Sequence, residues 1–240
     1  MFSEISERMP QLLSGSWITV QLTVYSAAVG IVIALIFGLM GTSSHAWART
    51  VSRVYVEIFR GLAVLIIMYW FFYSLPLLGF RLEPMVAGVA ALGLNAGAYG
   101  AEVVRGAVLA VPKAQYEATI ALNFSTAQRL RRVIIPQAWA AMIPPLTNLL
   151  IQLLKGTALV SLITIVDLSK VADNWRGNSG NSALSYGTSL VFYFVIAQVF
   201  VLLMRWLERR ANRKLGRTAA PRRPRLDALT QPRMPGGGIG

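Results

Sequence analysis

Glu117-Ala118-Thr119-Ile120-Ala121-Leu122-Asn123, followed after ten residues by Ile134-Ile135-Pro136, is a polar, hinged stretch set between two long apolar runs. Val111-Pro112 opens a first short helix, because proline suits a first helical position where its missing N–H has no partner to lose. Lys113–Leu122 is good helix-forming sequence, and Asn123 tolerates the left-handed conformation that ends a helix. Ser125-Thr126-Ala127-Gln128 reads as a capping box that starts a second helix, which Pro136 is expected to stop. Arg129, Arg131 and Arg132 are expected to face water or lipid headgroups. An ordinary inter-span loop with helical character would read this way too. A loop capped at each break, however, is more organised than a linker needs to be, and that favours a docking element.

The flanking sequence decides the fold class. Of 240 residues, 55% are hydrophobic and 14% charged, against about 25% charged in soluble domains. Five runs reach the roughly 20 apolar residues that a helical span needs: Trp17–Met40, Leu62–Phe80, Met85–Ala110, Ala140–Val166 and Tyr186–Trp206. The expected fold is an all-α membrane protein with five transmembrane helices. Segment 1–13 is an N-terminal segment on the periplasmic side, 14–210 the transmembrane domain with its loop at about 111–136, and 211–240 a basic tail. The first residues are acidic where a signal peptide is basic, and the first span is too long for an h-region, so no cleavage is expected.

Charge orients the spans. The segments before and between them alternate: Arg8 against Glu4 and Glu7; Arg49, Arg53 and Arg60 against Glu57; Arg81 against Glu83; five basic residues against Glu102 and Glu117; Lys170 and Arg176 against Asp167 and Asp173; then a strongly basic tail from Arg205. By the positive-inside rule the N-terminus lies outside, the C-terminus in the cytoplasm, and Glu117 on the cytoplasmic side. Pro, Arg and Gly from Arg217 onward leave too little apolar surface to order the tail, which is expected to be disordered near anionic headgroups.

Polar residues inside the spans are the candidates for a solute pathway. Lys155 lies roughly 18 Å into a core about 30 Å thick, where a lysine costs about 2.5–3.5 kcal/mol. It either faces a polar cavity and meets a solute carboxylate, or it is a structural ion pair or a snorkelling side chain. Gln152 and Thr157 are weaker candidates for the same cavity, and Asn95 is another. Glu102 and Arg105, three apart near the inner boundary, read as an ion pair that fixes helix packing. The aromatic run Tyr69–Tyr73 reads as an interfacial belt, or as a cation–π surface for a cationic solute group. Pro144-Pro145 reads as a helix start or kink. Gly30, Gly38, Gly88, Gly93, Gly97 and Gly100 permit close helix approach.

Other chemistry is absent from the sequence. There is no cysteine and a single histidine, His45, so thiolate and His-cluster metal sites are excluded, and no metal is expected. No Gly-x-x-x-x-Gly-Lys-Ser/Thr phosphate loop is present, nor a nucleophile elbow or a metalloprotease motif. The chain is not expected to be an enzyme or to bind a cofactor. The net charge of +13 sits in loops and tail rather than in a nucleic-acid patch.

Glu117-Ala118-Thr119, Asn123, Ile134 and Pro136 resemble the EAA loop of permease subunits of bacterial ABC importers, with Thr119 for Ala, Asn123 for Gly and Ile135 for Leu. Tyr55–Gly61, Ala98–Gly106, Val111–Gln115, Pro136–Ala138 and Leu154–Val160 resemble the polar amino acid branch, although Arg60-Gly61-Leu62-Ala63 departs from the usual Arg-Gly-Thr-Pro. Ala121–Ser125 and Leu159–Thr164 look most like permeases for ectoine and hydroxyectoine. The resemblance covers about Ser14 to Arg210. It implies a type I ABC importer permease fold in a bacterial inner membrane, in which the loop couples to a cytoplasmic ATPase dimer that uses ATP and Mg. It also implies a second permease subunit, identical or homologous. A periplasmic solute-binding protein would dock in part on Asp167–Ser185. The implied substrate is a polar amino acid or an ectoine-type compatible solute, moved by alternating access. The rival readings are an ion-coupled secondary carrier, which would show internal repeats, and a structural membrane protein, which would tolerate change at Ala118 and Asn123.

Overall fold

The computed structural model describes residues 2–214, and these are helical almost throughout. The helices are α1 (Phe2–Met40), α2 (Ala46–Gly61), α3 (Val64–Tyr69), α4 (Pro84–Leu109), α5 (Lys113–Ala121), α6 (Thr126–Arg129), α7 (Ile135–Gly156), α8 (Leu168–Ser179) and α9 (Ser182–Lys214). Three stretches are long and apolar enough to cross a membrane: Glu4–Met40, Thr126–Ile163 and Ser182–Arg213. A fourth candidate is α2 with Val64–Leu78, bent by 96° at the junction. The tail expected to be disordered lies outside the described residues, and residues 211–214 complete α9.

Helix α4 is the centre of the bundle. Glycines and alanines make up most of its buried face, and the expected third span, Met85–Ala110, to which α4 corresponds, is not among the stretches apolar enough to cross a membrane by length and composition. It packs along α1, where small residues let the two backbones approach. A Cβ on Gly97 would meet Ile33 at 2.6 Å, and one on Gly38 would meet Val104 at 2.6 Å and the Ala101 carbonyl at 2.8 Å. Lipid tails are as apolar as leucine, so this association rests on van der Waals packing rather than on escape from water. Two buried hydroxyls of α1, Thr19 and Thr23, donate to the carbonyls four residues back, at 3.0 and 2.8 Å.

The junctions differ from expectation in two places. The second expected span, Leu62–Phe80, is not one helix. Helix α3 gives way to a π-helical turn (Trp70–Ser74) and a 3₁₀ turn (Leu75–Leu78), and Gly79 closes it with φ of 91°. Ser52 Oγ donates to the Phe37 carbonyl at 2.7 Å and Tyr55 Oη to the Leu94 carbonyl at 2.7 Å, so α2 is pinned to both α1 and α4. The aromatic run falls in the π-turn, where Tyr73 Oη donates to the Leu162 carbonyl at 3.1 Å.

The other correction is at Pro136, which does not stop a helix. It lies in the first turn of α7, and the chain runs from α6 into α7 through a π-helical turn, Leu130–Ile134. The wider turn, in which the Ile135 N–H reaches the Leu130 carbonyl, absorbs the donor that proline lacks. Pro144 and Pro145, read as a start or a kink, lie inside α7. Helix α7 passes into a 3₁₀ segment, Thr157–Ile163, which ends at Thr164 with φ of 73°, a conformation a β-branched residue rarely adopts.

Candidate functional site

The loop around Glu117 has an anchored side and a free side. Ile134 is fully buried against Ala34, Val104, Val108 and Met142. Thr119 is buried and its hydroxyl donates to the Tyr116 carbonyl at 2.7 Å, while Tyr116 Oη reaches the Val108 carbonyl at 3.2 Å. Gln137 Nε2 donates to Gln115 Oε1 at 3.2 Å, tying α7 to α5. Glu117, Ala118 and Pro136 are exposed. So are two large apolar residues that sequence reasoning passed over, Ile120 (56%) and Leu122 (67%). Within a helix-forming run their spacing gave no sign that they point outward. Each leaves a large apolar side chain in solvent at the end of α5, available to a partner.

The end of α5 shows why Asn123 stands where it does. Asn123 has φ of 53°, its N–H reaches the Ile120 carbonyl at 2.9 Å, and the Phe124 N–H reaches the Thr119 carbonyl at 2.9 Å. This is the paired hydrogen-bond pattern of a Schellman cap. Ser125 and Gln128 then form a reciprocal capping box at 3.3 and 3.0 Å. Two back-to-back caps hold Glu117–Leu122 as a rigid turn. Asn123→Gly is expected to leave this turn intact, whereas Asn123→Val forces a branched side chain into the left-handed region at about 1–2 kcal/mol. Hydrogen exchange at the Phe124 amide, faster in the Val variant alone, checks this.

Among the span residues, the structure brings Asn95 and Gln152 to one small crevice of about 100 Å³ between α4 and α7, where Tyr99 and Gly156 also contribute. Asn95 Nδ2 donates to the Phe59 carbonyl at 2.8 Å. One turn along α4, the Tyr99 ring lies 5.1 Å beneath the Arg60 guanidinium. One turn further, Glu102 accepts from Arg105 at 2.9 and 3.3 Å. Asn95, Tyr99 and Glu102 thus share a face of α4. On α7, Asn148, Gln152 and Lys155 are exposed at the same helical spacing. Lys155 makes no ion pair among the described residues. Thr157 does not join them: it is fully buried, with its hydroxyl on the Leu154 carbonyl at 2.7 Å. Tyr99, Arg60 and Asn148 were missed because only tertiary packing aligns them.

At the end of the bundle away from Glu117, Asp167 caps α8. It is fully buried. Its carboxylate accepts from the Lys170 and Ser169 amides at 3.0 and 3.1 Å and from Tyr193 Oη at 3.2 Å. Thr19 Oγ1 accepts from the Leu168 amide at 3.2 Å, joining α8 to α1. Burial holds the Asp167 carboxyl above the usual carboxylate range; the amide and Tyr193 hydrogen bonds pull the other way without cancelling it. A raised folded value means the proton favours the folded state. The contribution is therefore full below the ordinary aspartate range, about pH 4, and is lost as pH rises through the raised value. The thermal midpoint of the solubilised protein is expected to fall over that interval, and Asp167→Asn to flatten the dependence.

A bundle of apolar helices with polar side chains meeting in a crevice between two of them, and a capped, exposed loop at one end, has the build of a membrane transport component. The chain belongs to the family of binding-protein-dependent transport system inner membrane components, whose model matches residues 28–213. It is 46% identical over 208 residues to a probable amino-acid ABC transporter permease protein, y4tF, of Sinorhizobium fredii, covering 84% of this chain and 87% of that one. It is 34% identical over 216 residues to the glutamine transport system permease protein GlnP of Escherichia coli, covering 87% and 96%. A crystal structure of an amino acid ABC transporter with histidines matches with a TM-score of 0.80 and 33% identity over 88% of this chain and 98% of that one. The inward-facing MetNI methionine transporter shares the fold, with a TM-score of 0.73 at 23% identity over 85% and 98%.

Proposed function

We propose that this chain is the five-span permease of an ATP-driven importer for a small zwitterionic solute. The spans are α1, the bent pair α2–α3, α4, α7 and α9, with the N-terminus outside and the C-terminus in the cytoplasm. The observation that carries the reading is the crevice where Asn95 and Tyr99 of α4 meet Gln152 of α7, continued by Glu102 along α4 and by the exposed Asn148 and Lys155 along α7. One such face makes half a pathway, so a second permease, identical or homologous, supplies the other half. Lys155 meets the solute carboxylate, and Asn95 and Gln152 meet its polar groups.

At the cytoplasmic end, Glu117, Ala118, Ile120 and Leu122 dock on an ATPase, and a dimer of that ATPase, with its own ATP and Mg, drives alternating access. At the outer end, the α8 region receives a solute-binding protein. Relatives named for glutamine, L-cystine, octopine and arginine favour a polar amino acid over an ectoine-type solute, which is kept as the second reading on Ala121–Ser125 and Leu159–Thr164.

The test is uptake of labelled glutamine, arginine and ectoine by the transporter reconstituted with its ATPase and binding protein. Uptake of an amino acid, lowered about tenfold or more by Lys155→Ala with ATPase assembly unchanged, is the expected result; tenfold is about 1.4 kcal/mol of solute binding. Uptake of ectoine alone would move the substrate to the second reading. Unchanged uptake in Lys155→Ala would remove that residue from the pathway.

A further inference from the structure

On the side of the bundle away from the polar crevice, α1, α4, α7 and α9 enclose a groove of about 380 Å³. Gly30, Ala34 and Gly100 lie among its lining, where α1 and α4 pack directly on each other: a Cβ on Gly100 would meet Ala34 at 2.7 Å and one on Gly30 would meet Ala96 at 3.4 Å. Leu149 and Leu153 stand between groove and crevice and line both. The groove follows α7 from Trp139 to Leu153, roughly 20 Å at 1.5 Å per residue, rather more than one leaflet's share of a core about 30 Å thick. Its lining is apolar with one charged exception: Arg210, at the mouth.

Arg210 stacks over the Trp206 ring at 5.4 Å and makes no ion pair among the described residues. Arg205, Arg209 and Arg213 lie on the same closing turns of α9, against Glu208 alone. Trp139 and Trp206 are both substantially exposed there, as aromatic residues at a membrane interface are. An apolar slot one leaflet deep, closed by an unpaired arginine among further arginines, complements one kind of ligand: an acyl chain carrying an anionic headgroup. A second protein chain would have to bring an acidic side chain to Arg210, and the end of α9 in a second copy of this chain is itself basic.

We propose that this groove is a binding site for an anionic phospholipid, with one acyl chain along α7 and the headgroup phosphate at Arg210. The phosphate oxygens accept from the guanidinium; the acyl chain lies against the apolar lining of Ile143, Leu146, Leu150 and Leu207. The site is separate from the solute pathway, and binding to it does not depend on which solute is carried.

The experiment is native mass spectrometry of the complete transporter in mild detergent, titrated with dioleoylphosphatidylglycerol or dioleoylphosphatidylcholine. The parent is expected to retain the glycerol lipid over the choline lipid by about fivefold or more, the scale of one basic residue at an anionic surface. Arg210→Gln is expected to erase that preference while leaving choline-lipid binding unchanged. Leu207→Trp, which fills the groove, is expected to lower binding of both. Equal retention in the parent, or a preference that survives Arg210→Gln, overturns the proposal. The chain has no cysteine, so Leu207→Cys gives a single crosslinking handle. Efficient crosslinking from it to the second permease would make the groove a subunit interface and overturn the lipid site, without touching the transport reading.

Discussion

Ala118→Asp is expected to abolish ATP-driven uptake by removing the ATPase from the complex. Ala118 is exposed on α5, next to Glu117 and within a turn of Ile120 and Leu122, so an aspartate there reaches solvent without displacing a buried side chain. The variant therefore folds. A second carboxylate beside Glu117 doubles the negative charge of a small docking surface. It must also be desolvated when that surface meets its partner, and an unpaired buried charge is among the costliest changes an interface can take. A loss at the scale of an interface hot spot, about 2 kcal/mol or more, weakens association roughly 30-fold or more. Co-purification of the ATPase with the permease, measured beside uptake in liposomes, checks both halves. Normal co-purification with lost uptake would place the defect in coupling; normal values for both would end the docking assignment.

Gly38→Leu is expected to lower the yield of assembled protein more than any change on the polar face. A Cβ at Gly38 already comes within 2.6 Å of Val104 and 2.8 Å of a carbonyl oxygen of α4. The carbonyl cannot turn aside, so α1 must move away from α4. Overpacking a well-filled core costs about 1–3 kcal/mol, and a leucine adds three further carbons to the clash. Gly61→Leu is the control, because nothing lies within 4 Å of its would-be Cβ. Size-exclusion profiles and thermal midpoints of the two variants should separate clearly. Equal behaviour would mean that the α1–α4 contact is not what holds the bundle together.

Local rules made part of this structure legible in advance. Asn123 adopts the left-handed conformation because one amide-bearing side chain was placed where a helix had to end. The Ser125–Gln128 capping box reads directly from four residues. Gly30, Gly38, Gly93, Gly97 and Gly100 read as permitting close helix approach, and the structure shows that the helices they bring together are α1 and α4.

What stayed hidden depends on contacts between distant segments. The π-turn before Pro136 cannot be told from an ordinary helix end by composition, because the same proline stops one and begins the other. Thr157 and Lys155 are two residues apart, which on a helix places them on opposite faces; which of the two faces is buried was decided by the packing of distant helices. Helix α8 lay inside what read as a loop. Its buried cap, Asp167, acquires meaning only when Thr19 and Tyr193, 148 residues before and 26 after it, close around it.

The π-turn that carries the chain through Pro136 has a mechanical consequence. Because the helix does not stop there, Thr126–Ile163 is a single helical rod of 38 residues, roughly 55–60 Å long. The proposed ATPase contact lies at one end, joined through the capped turn, and the bend at Thr164 lies at the other. The rod packs against α4 from Ile134 near the loop to Val160 near the bend, so under the proposed mechanism a push at the cytoplasmic end tilts the whole rod together with α4. Narrowing one mouth of the bundle and widening the other then need only one tilting body, with no signal passed from residue to residue.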